Sequence, residues 1–221
     1  MNAVPIEPEP RSGEANMAAD AALLDAAAAG TAGGRWYRWS EPTLSLGHFQ
    51  KGTDLDEATL PDLPRVRRLS GGGAIVHHHE WTYALAVPRG HRLAARPEQF
   101  YEAVHAELIA ALAAVGVTAR LRGKGAGDGP EPTLCFLRSD PRDVVTTAAD
   151  GAVRKIVGSA QRRRKGAVLQ HGSLLVATSP HAPDAPGLRE LAGLTAGQAE
   201  TVVRDAAVRF GRLLVGTCPA D

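Results

Sequence analysis

Residues 150–176 read DGAVRKIVGSAQRRRKGAVLQHGSLLV, and this stretch decides the fold class. Asp150-Gly151 is a strong hairpin signal, because both residue types tolerate the positive φ of a tight turn. Val153 to Gln161 and Ala167 to Val176 are β-forming runs, and the polar Arg162–Gly166 stretch between them reads as a second turn. Successive hairpins pair their strands antiparallel, which argues against a regular βαβ repeat. Upstream, Asp143 to Thr147 and Leu134 to Phe136 read as β, joined to Val117–Leu121 by the Gly/Pro-rich loop 123–132. Before them Phe100, Val104, Leu108, Leu112 and Val115 recur at helical spacing, with Pro97 suited to the first turn and Gly116 to the end. Downstream, Thr195 and Gln198 form a capping-box pair for a last helix that turns Val202, Val203, Ala206, Phe210, Leu213 and Leu214 inward.

The N-terminal half adds a helix and more strands. Asn16 is a cap candidate for a helix from Met17 to about Ala28, with Met17, Ala21, Leu24 and Ala28 on one stripe. The runs 35–39, 43–46, 66–69, 74–76 and 81–87 read as strands. The order predicts an α+β fold with a mixed, hairpin-rich central sheet flanked by helices. It occupies one domain over 15–216, between a flexible leader (1–14, with Pro5, Pro8 and Pro10) and a tail at 217–221.

Composition narrows the function. The chain has 221 residues with 25 Lys and Arg against 24 Asp and Glu, a net charge of +1 that excludes a strongly basic nucleic-acid binder. Gly and Pro, 24 and 15 residues, fall short of the roughly 25–30% that marks low-complexity chains. No apolar run reaches the ~18 residues of a membrane span, and the leader is acidic where a secretory signal is basic. The reading is a cytoplasmic protein with neither nucleic acid nor membrane as partner. Its two cysteines, Cys135 and Cys218, form no disulfide framework and have no CxxC spacing.

Five segments can carry chemistry. Arg67-Arg68-Leu69-Ser70-Gly71-Gly72-Gly73 places three glycines after a strand, where bare N–H groups can cradle a phosphate or a carbonyl oxygen and arginine can hold an anion. A flexible hairpin loop is the plain alternative, and the segment has neither Walker nor GxGxxG spacing. In His77-His78-His79-Glu80, a strand would put His77 and His79 on one face; no third ligand stands at motif spacing, so no metal is expected. Lys155 opens an apolar strand in which Gly158 and Ala160 keep one side small enough for a ligand; buried, it would exchange protons, and on an edge it would merely deter aggregation. Cys135 is a buried hydrophobe or a nucleophile. At a reference pKa of ~8.5 only about 3% is thiolate at pH 7, so it would need an ammonium such as Lys155 beside it. Arg162, Arg163 and Arg164, with Lys165, form a hairpin tip that is either solvated or a docking patch for an acidic partner. Cys218, close to the end, reads as inert.

Together these segments resemble the lipoate–protein ligase and octanoyltransferase family, which shares its catalytic domain and its class II synthetase-like architecture with biotin–protein ligases. The matching text is Asn16 to Asp20, Leu44-Ser45-Leu46-Gly47-His48-Phe49-Gln50, Arg68 to His77 with Glu80-Trp81-Thr82-Tyr83, Lys155 to Gln161, and Leu169 to Leu175, in order over about residues 15 to 176. The resemblance implies an acyl tunnel roofed by the glycine loop. It implies transfer of an octanoyl or lipoyl group onto a lysine of a lipoyl-domain or glycine-cleavage H-type acceptor protein. Lys155 falls on the family's active-site lysine. Cys135 falls where the cysteine-dependent octanoyltransferases carry their nucleophile, although Gly73 stands where those relatives often have a larger residue. Arg68, Ser70, Gly71, Gly72, Gly73, His77, Gly158, Ser159, Ala160, His171 and Gly172 fall on its substrate-binding segments.

Two activities fit the resemblance. A transferase would take octanoate from octanoyl-acyl carrier protein through a Cys135 acyl-enzyme and need no cofactor. A ligase would use free lipoate, ATP and magnesium, with Arg68 and the glycine loop holding phosphate and Lys155 steadying the acyl-adenylate. Cys135 and a chain that ends soon after the last helix favour the transferase. A binding module that keeps the fold without turnover is the alternative of another class.

Overall fold

The computed structural model describes residues 3–50, 61–123 and 139–215. Cys135, Cys218 and the expected strand 134–136 lie outside them. The elements run α1 (Gly13–Ala28), β1 (Gly33–Tyr37), β2 (Thr43–Leu46), β3 (Arg65–Arg67), β4 (Ile75–His77), β5 (Glu80–Val87), α2 (Pro97–Ala113), β6 (Arg120–Leu121), β7 (Val144–Thr147), β8 (Val153–Arg164), β9 (Ala167–Leu175), α3 (Leu188–Ala192) and α4 (Ala196–Leu214).

A six-stranded sheet has the order β1-β5-β9-β8-β7-β6, and a three-stranded sheet the order β3-β2-β4. The fold is α+β and hairpin-rich, as expected. The large sheet, however, is antiparallel throughout, and the parallel pairing that the word "mixed" anticipated occurs between β2 and β3 of the small sheet. Lys165 and Gly166 turn the β8–β9 hairpin with φ of 50° and 83°, the two positive values that a two-residue turn of this hand requires. The three arginines therefore stay inside β8, and the tip is shorter than the sequence suggested.

Alternate residues of β5 show how the sheet is covered. Tyr83, Leu85 and Val87 pack toward α2 and α4, against Phe100, Val104, Leu108, Val202 and Phe210. Ala84 and Ala86 face α1, where Leu24 and Ala27 lie close enough to need small partners. Trp36 stacks on Phe210 with ring centroids 5.5 Å apart and ties β1 to α4. The Thr195–Gln198 capping box forms as expected.

Three local expectations change. Residues 4–11 are not loose: Val4 is buried, its N–H donates to Ala207 O, and Ile6 and Arg11 bridge to Trp36 and Trp39. Covering the edge of β1 and pairing Glu7 with Arg35 at 2.8 Å hold this segment. Helix α1 begins earlier, with Ser12 as its cap. Asn16 is instead wholly buried, donating to Arg11 O and Arg38 O and accepting from Arg35 Nη2 at 2.7 Å. The buried stripe of α1 is accordingly Asn16, Asp20, Leu24 and Ala27. Finally, His78 and His79 form the turn between β4 and β5, so His77 and His79 share no strand face. No helix among the described residues is long and apolar enough to cross a membrane.

Candidate active site

The glycine loop Ser70–Gly73 joins β3 to β4 and is held from beneath. Arg68 is 3% exposed; its Nη1 donates to Ser45 O and Ser45 Oγ, both at 2.7 Å, and its Nη2 to Gly73 O at 2.8 Å. Its guanidinium thus braces the loop, a use that sequence reading had given to a phosphate. On the other side Gly47 lies so close that a Cβ there would stand 2.1 Å from Gly72 O. Gly72 itself has φ of 98°, open to glycine and strained for other residues.

Two proton-ordered chains extend the brace. Ser70 Oγ is hydrogen-bonded to His171 Nε2, and His171 Nδ1 lies 3.1 Å from Asp20 Oδ2. A carboxylate only accepts, so Nδ1 donates to Asp20. Asp20 also takes Arg35 Nη1 at 2.7 Å and the Tyr37 hydroxyl at 3.0 Å. In the second chain Ser45 Oγ is 2.6 Å from His77 Nε2, and His77 Nδ1 is 2.7 Å from Glu80 Oε1. Burial lowers the pKa of His77 against the pull of Glu80. Burial works against ionised Glu80, but His77, Ser173 and Thr82 outweigh it and hold its carboxyl below the usual range. Both histidines therefore support the loop as well as facing the cavity below it.

That cavity is a narrow slot, about 430 Å³ with the open solvent at its mouth included, between the two sheets and α1; its exposed surface is mostly apolar and Met17, Tyr37, Trp39, Ile75 and Ala160 contribute to it. The sheet beneath it is closely packed on its other face, toward α2. Ser159 pairs with Gly172 across β8 and β9, and a Cβ on Gly172 would come 2.5 Å from Ser159 Oγ and 2.8 Å from the Tyr83 hydroxyl. A second cavity, about 830 Å³ including its open mouth, runs from Gly71–Gly73 to Lys155, Asp143 and Tyr101. Ser159 and Ala160 line both cavities, so the apolar slot and the lysine cleft meet at these residues beside the glycine loop.

Lys155 is no edge residue: β8 runs between β9 and β7, and Lys155 Nζ lies 2.9 Å from Asp143 Oδ1. Burial pushes the Asp143 carboxyl up, while Lys155 pulls it down. Whether Lys155 meets Cys135 falls outside the described residues. Sequence reading passed over His105, a fully buried residue of α2 whose Nε2 lies 2.6 Å from Ser159 Oγ. The available signal was a polar side chain directly beside the apolar stripe, next to Val104.

The remaining candidates are separate from this centre. Arg163 donates to Ala94 O at 2.8 Å and Arg164 pairs with Asp25, so two of the three arginines are tied to neighbouring elements. His78 stacks on His79, with His181 next to them. No group of three His, Cys, Asp or Glu among the described residues is arranged to hold a metal ion.

Comparison with known proteins agrees with this architecture. Residues 12–204 match the model of the lipoyl protein ligase A/B catalytic domain. The octanoyltransferase LipM of Macrococcus caseolyticus is 34% identical over 174 residues, covering 72% of this chain and 60% of the relative. The octanoyltransferase LipM of Symbiobacterium thermophilum is 37% identical over 179 residues, covering 75% and 62%. The chain thus spans about three fifths of the length of these curated relatives. Among solved structures, the bipartite lipoate protein ligase of Thermoplasma acidophilum, studied with its E2 lipoyl domain, superposes with a TM-score of 0.68 at 18% identity, covering 97% of this chain and 84% of that one. The last likeness is one of fold.

Proposed function

The chain belongs to the lipoyl protein ligase A/B catalytic domain family, and on that premise we propose that it moves an octanoyl group from a carrier-protein thioester to a lysine of a lipoyl-type acceptor domain. The observation that carries this reading is the junction at Ser159 and Ala160, the two residues that an apolar slot shares with a cleft holding a buried lysine. An aliphatic chain in the slot would bring its carbonyl carbon to that junction, beside the glycine loop and Lys155. Relatives named octanoyltransferase, at 34% and 37% identity, support the same chemistry.

In this reading the Cys135 thiolate attacks the thioester carbonyl, the C–S bond to the carrier breaks, and the carrier thiolate leaves with a proton from solvent. The Lys155 ammonium and loop N–H groups stabilise the oxyanion of each tetrahedral intermediate. The acceptor amine then displaces the Cys135 sulfur and loses one proton. The thioester is already activated, so neither ATP nor metal enters. The ligase reading has no comparable support, since the arginine it needs for phosphate is engaged with Ser45 and the loop carbonyls.

Incubation with octanoyl-acyl carrier protein and no ATP, followed by mass spectrometry, tests the proposal. The expected product is an octanoyl adduct on Cys135, absent in Cys135→Ala and discharged by an E2 lipoyl domain. Transfer only when ATP is added, or undiminished transfer by Cys135→Ala, would overturn it.

A further inference from the structure

His105 and Ser159 form a hydrogen-bonded row whose protons can all be assigned. His105 Nδ1 lies 2.5 Å from Arg142 O, and a carbonyl oxygen only accepts, so Nδ1 carries the hydrogen. Burial, reinforced by the charge of Lys155, outweighs the Arg142 carbonyl and brings the His105 pKa down to about 4. The ring is thus neutral near pH 7 and Nε2 is a bare acceptor. Ser159 Oγ, 2.6 Å away, donates to it. The Tyr83 hydroxyl is 2.5 Å from the same Oγ. Because the serine hydrogen is committed to His105, Tyr83 must be the donor there. Gln170 Nε2 in turn donates to the Tyr83 oxygen at 3.4 Å.

A hydroxyl that gives its hydrogen and receives one keeps a single lone pair. Ser159 is half-buried and lines both cavities. Opposite it stands Gly172, whose missing side chain leaves Oγ uncovered. The remaining lone pair is therefore a fixed acceptor on the α2 side of the sheet, where Ser159 lines the lysine cleft with Tyr101 and Lys155.

We propose that His105 is a positioning residue that makes Ser159 an obligate acceptor for an N–H of the incoming lysine amine. The inference rests on the acyltransferase reading and names what that site does to its second substrate. A freely rotating serine would also offer its hydrogen to the amine nitrogen and occupy the lone pair that must attack the acyl carbon. With the serine hydrogen held by His105, the amine docks through N–H and keeps its lone pair directed at the carbonyl. This is an orientation effect, which ordinary substrate affinity does not supply.

Steady-state transfer from octanoyl-acyl carrier protein to an E2 lipoyl domain separates the two halves of the reaction, because in a double-displacement scheme each substrate's kcat/KM reports its own half. His105→Leu should lose about tenfold in kcat/KM for the lipoyl domain, the scale of one hydrogen bond to a polar ligand, and lose more there than for the carrier thioester. His105→Gln, whose amide oxygen reaches the place of Nε2, should recover most of the loss. In a Ser159→Ala background His105→Leu should add nothing further. If the leucine variant does not fold, His105→Asn takes its place in the same cycle, since its shorter amide keeps the Arg142 bond and cannot reach Ser159. Equal losses for both substrates, or an undiminished effect in the Ser159→Ala background, would overturn the inference alone. Absence of any octanoyl adduct on the unaltered protein would remove the acyltransferase reading, and this inference with it.

Discussion

Lys155 Nζ and Asp143 Oδ1 stand 2.9 Å apart with both side chains almost fully buried. Asp143 Oδ2 also accepts the Asp140 N–H at 2.9 Å and faces Arg122 Nε at 3.7 Å. The carboxylate thus fixes the ammonium at the wall of the cleft. Replacing Lys155 by Met leaves Asp143 with the Asp140 N–H and, as its cationic neighbour among the described residues, Arg122. We expect a loss of about 3 kcal/mol, the lower end for a broken buried pair, read from urea unfolding midpoints. Lys155→Met/Asp143→Asn should regain most of that stability and none of the octanoyl transfer. Recovered activity in the double variant would remove Lys155 from the chemistry.

Gly172→Ala tests the close packing behind the slot, on the α2 face of the sheet. The new methyl would meet Ser159 Oγ at 2.5 Å, Gly158 O at 2.6 Å and the Tyr83 hydroxyl at 2.8 Å. Two of these neighbours are held by their own hydrogen bonds and one is backbone, so none yields freely. The cost should be about 1–3 kcal/mol, as for other overpacked interiors. Octanoyl adduct formation should fall with it. A melting temperature equal to that of the unaltered protein would show that this packing can give way.

His105 sets a pH window. Its folded pKa is about 4 against 6.5 for an ordinary histidine, so the unfolded chain binds more protons between those values. Stability contributed by the neutral ring is complete above pH 6.5 and is lost as pH falls toward 4. The full loss amounts to about 3 kcal/mol at ~1.4 kcal/mol per pKa unit. Urea midpoints measured at pH 7.5 and pH 5 should differ less for His105→Gln than for the unaltered protein. Identical pH dependence in both would place the acid sensitivity elsewhere.

The arginine run offers a graded test of carrier docking. Arg163 and Arg164 hold Ala94 and Asp25, whereas Arg162 is half-buried beside them on β8. Arg162→Gln should weaken transfer more at low salt than at high salt if the patch steers an acidic carrier. Arg164→Gln should in addition cost up to about 1 kcal/mol of stability, as for other partly exposed pairs. An unchanged salt profile in both would exclude docking at this face.

Local signals carried most of the fold. Asp150-Gly151, the run from Val153 to Val176 and the stripe from Phe100 to Leu112 act over a few residues, and each formed its element. What sequence could not show was set by distant partners. Asn16 has the chemistry of a cap, but Arg35, 19 positions away, draws it inward, and Ser12 caps the helix. The three histidines lack turn character, yet β4 and β5 belong to different sheets, so the chain must bend there. Arg68, His77 and His171 were legible as members of the site. Their use as braces was not, because it depends on Ser45, Glu80, Ser70 and Asp20 from four other places in the chain. His105 escaped for the same reason, its partner Ser159 lying 54 positions on.

The slot draws its walls from α1, β1, β4, β5, β8 and β9, which meet only once both sheets and the first helix have assembled. A hydrocarbon tail held there, as proposed, would find no such berth in an unravelled chain. Medium-length fatty acids should then act as heat protectants, raising the melting point in proportion to the logarithm of their concentration once it exceeds the dissociation constant.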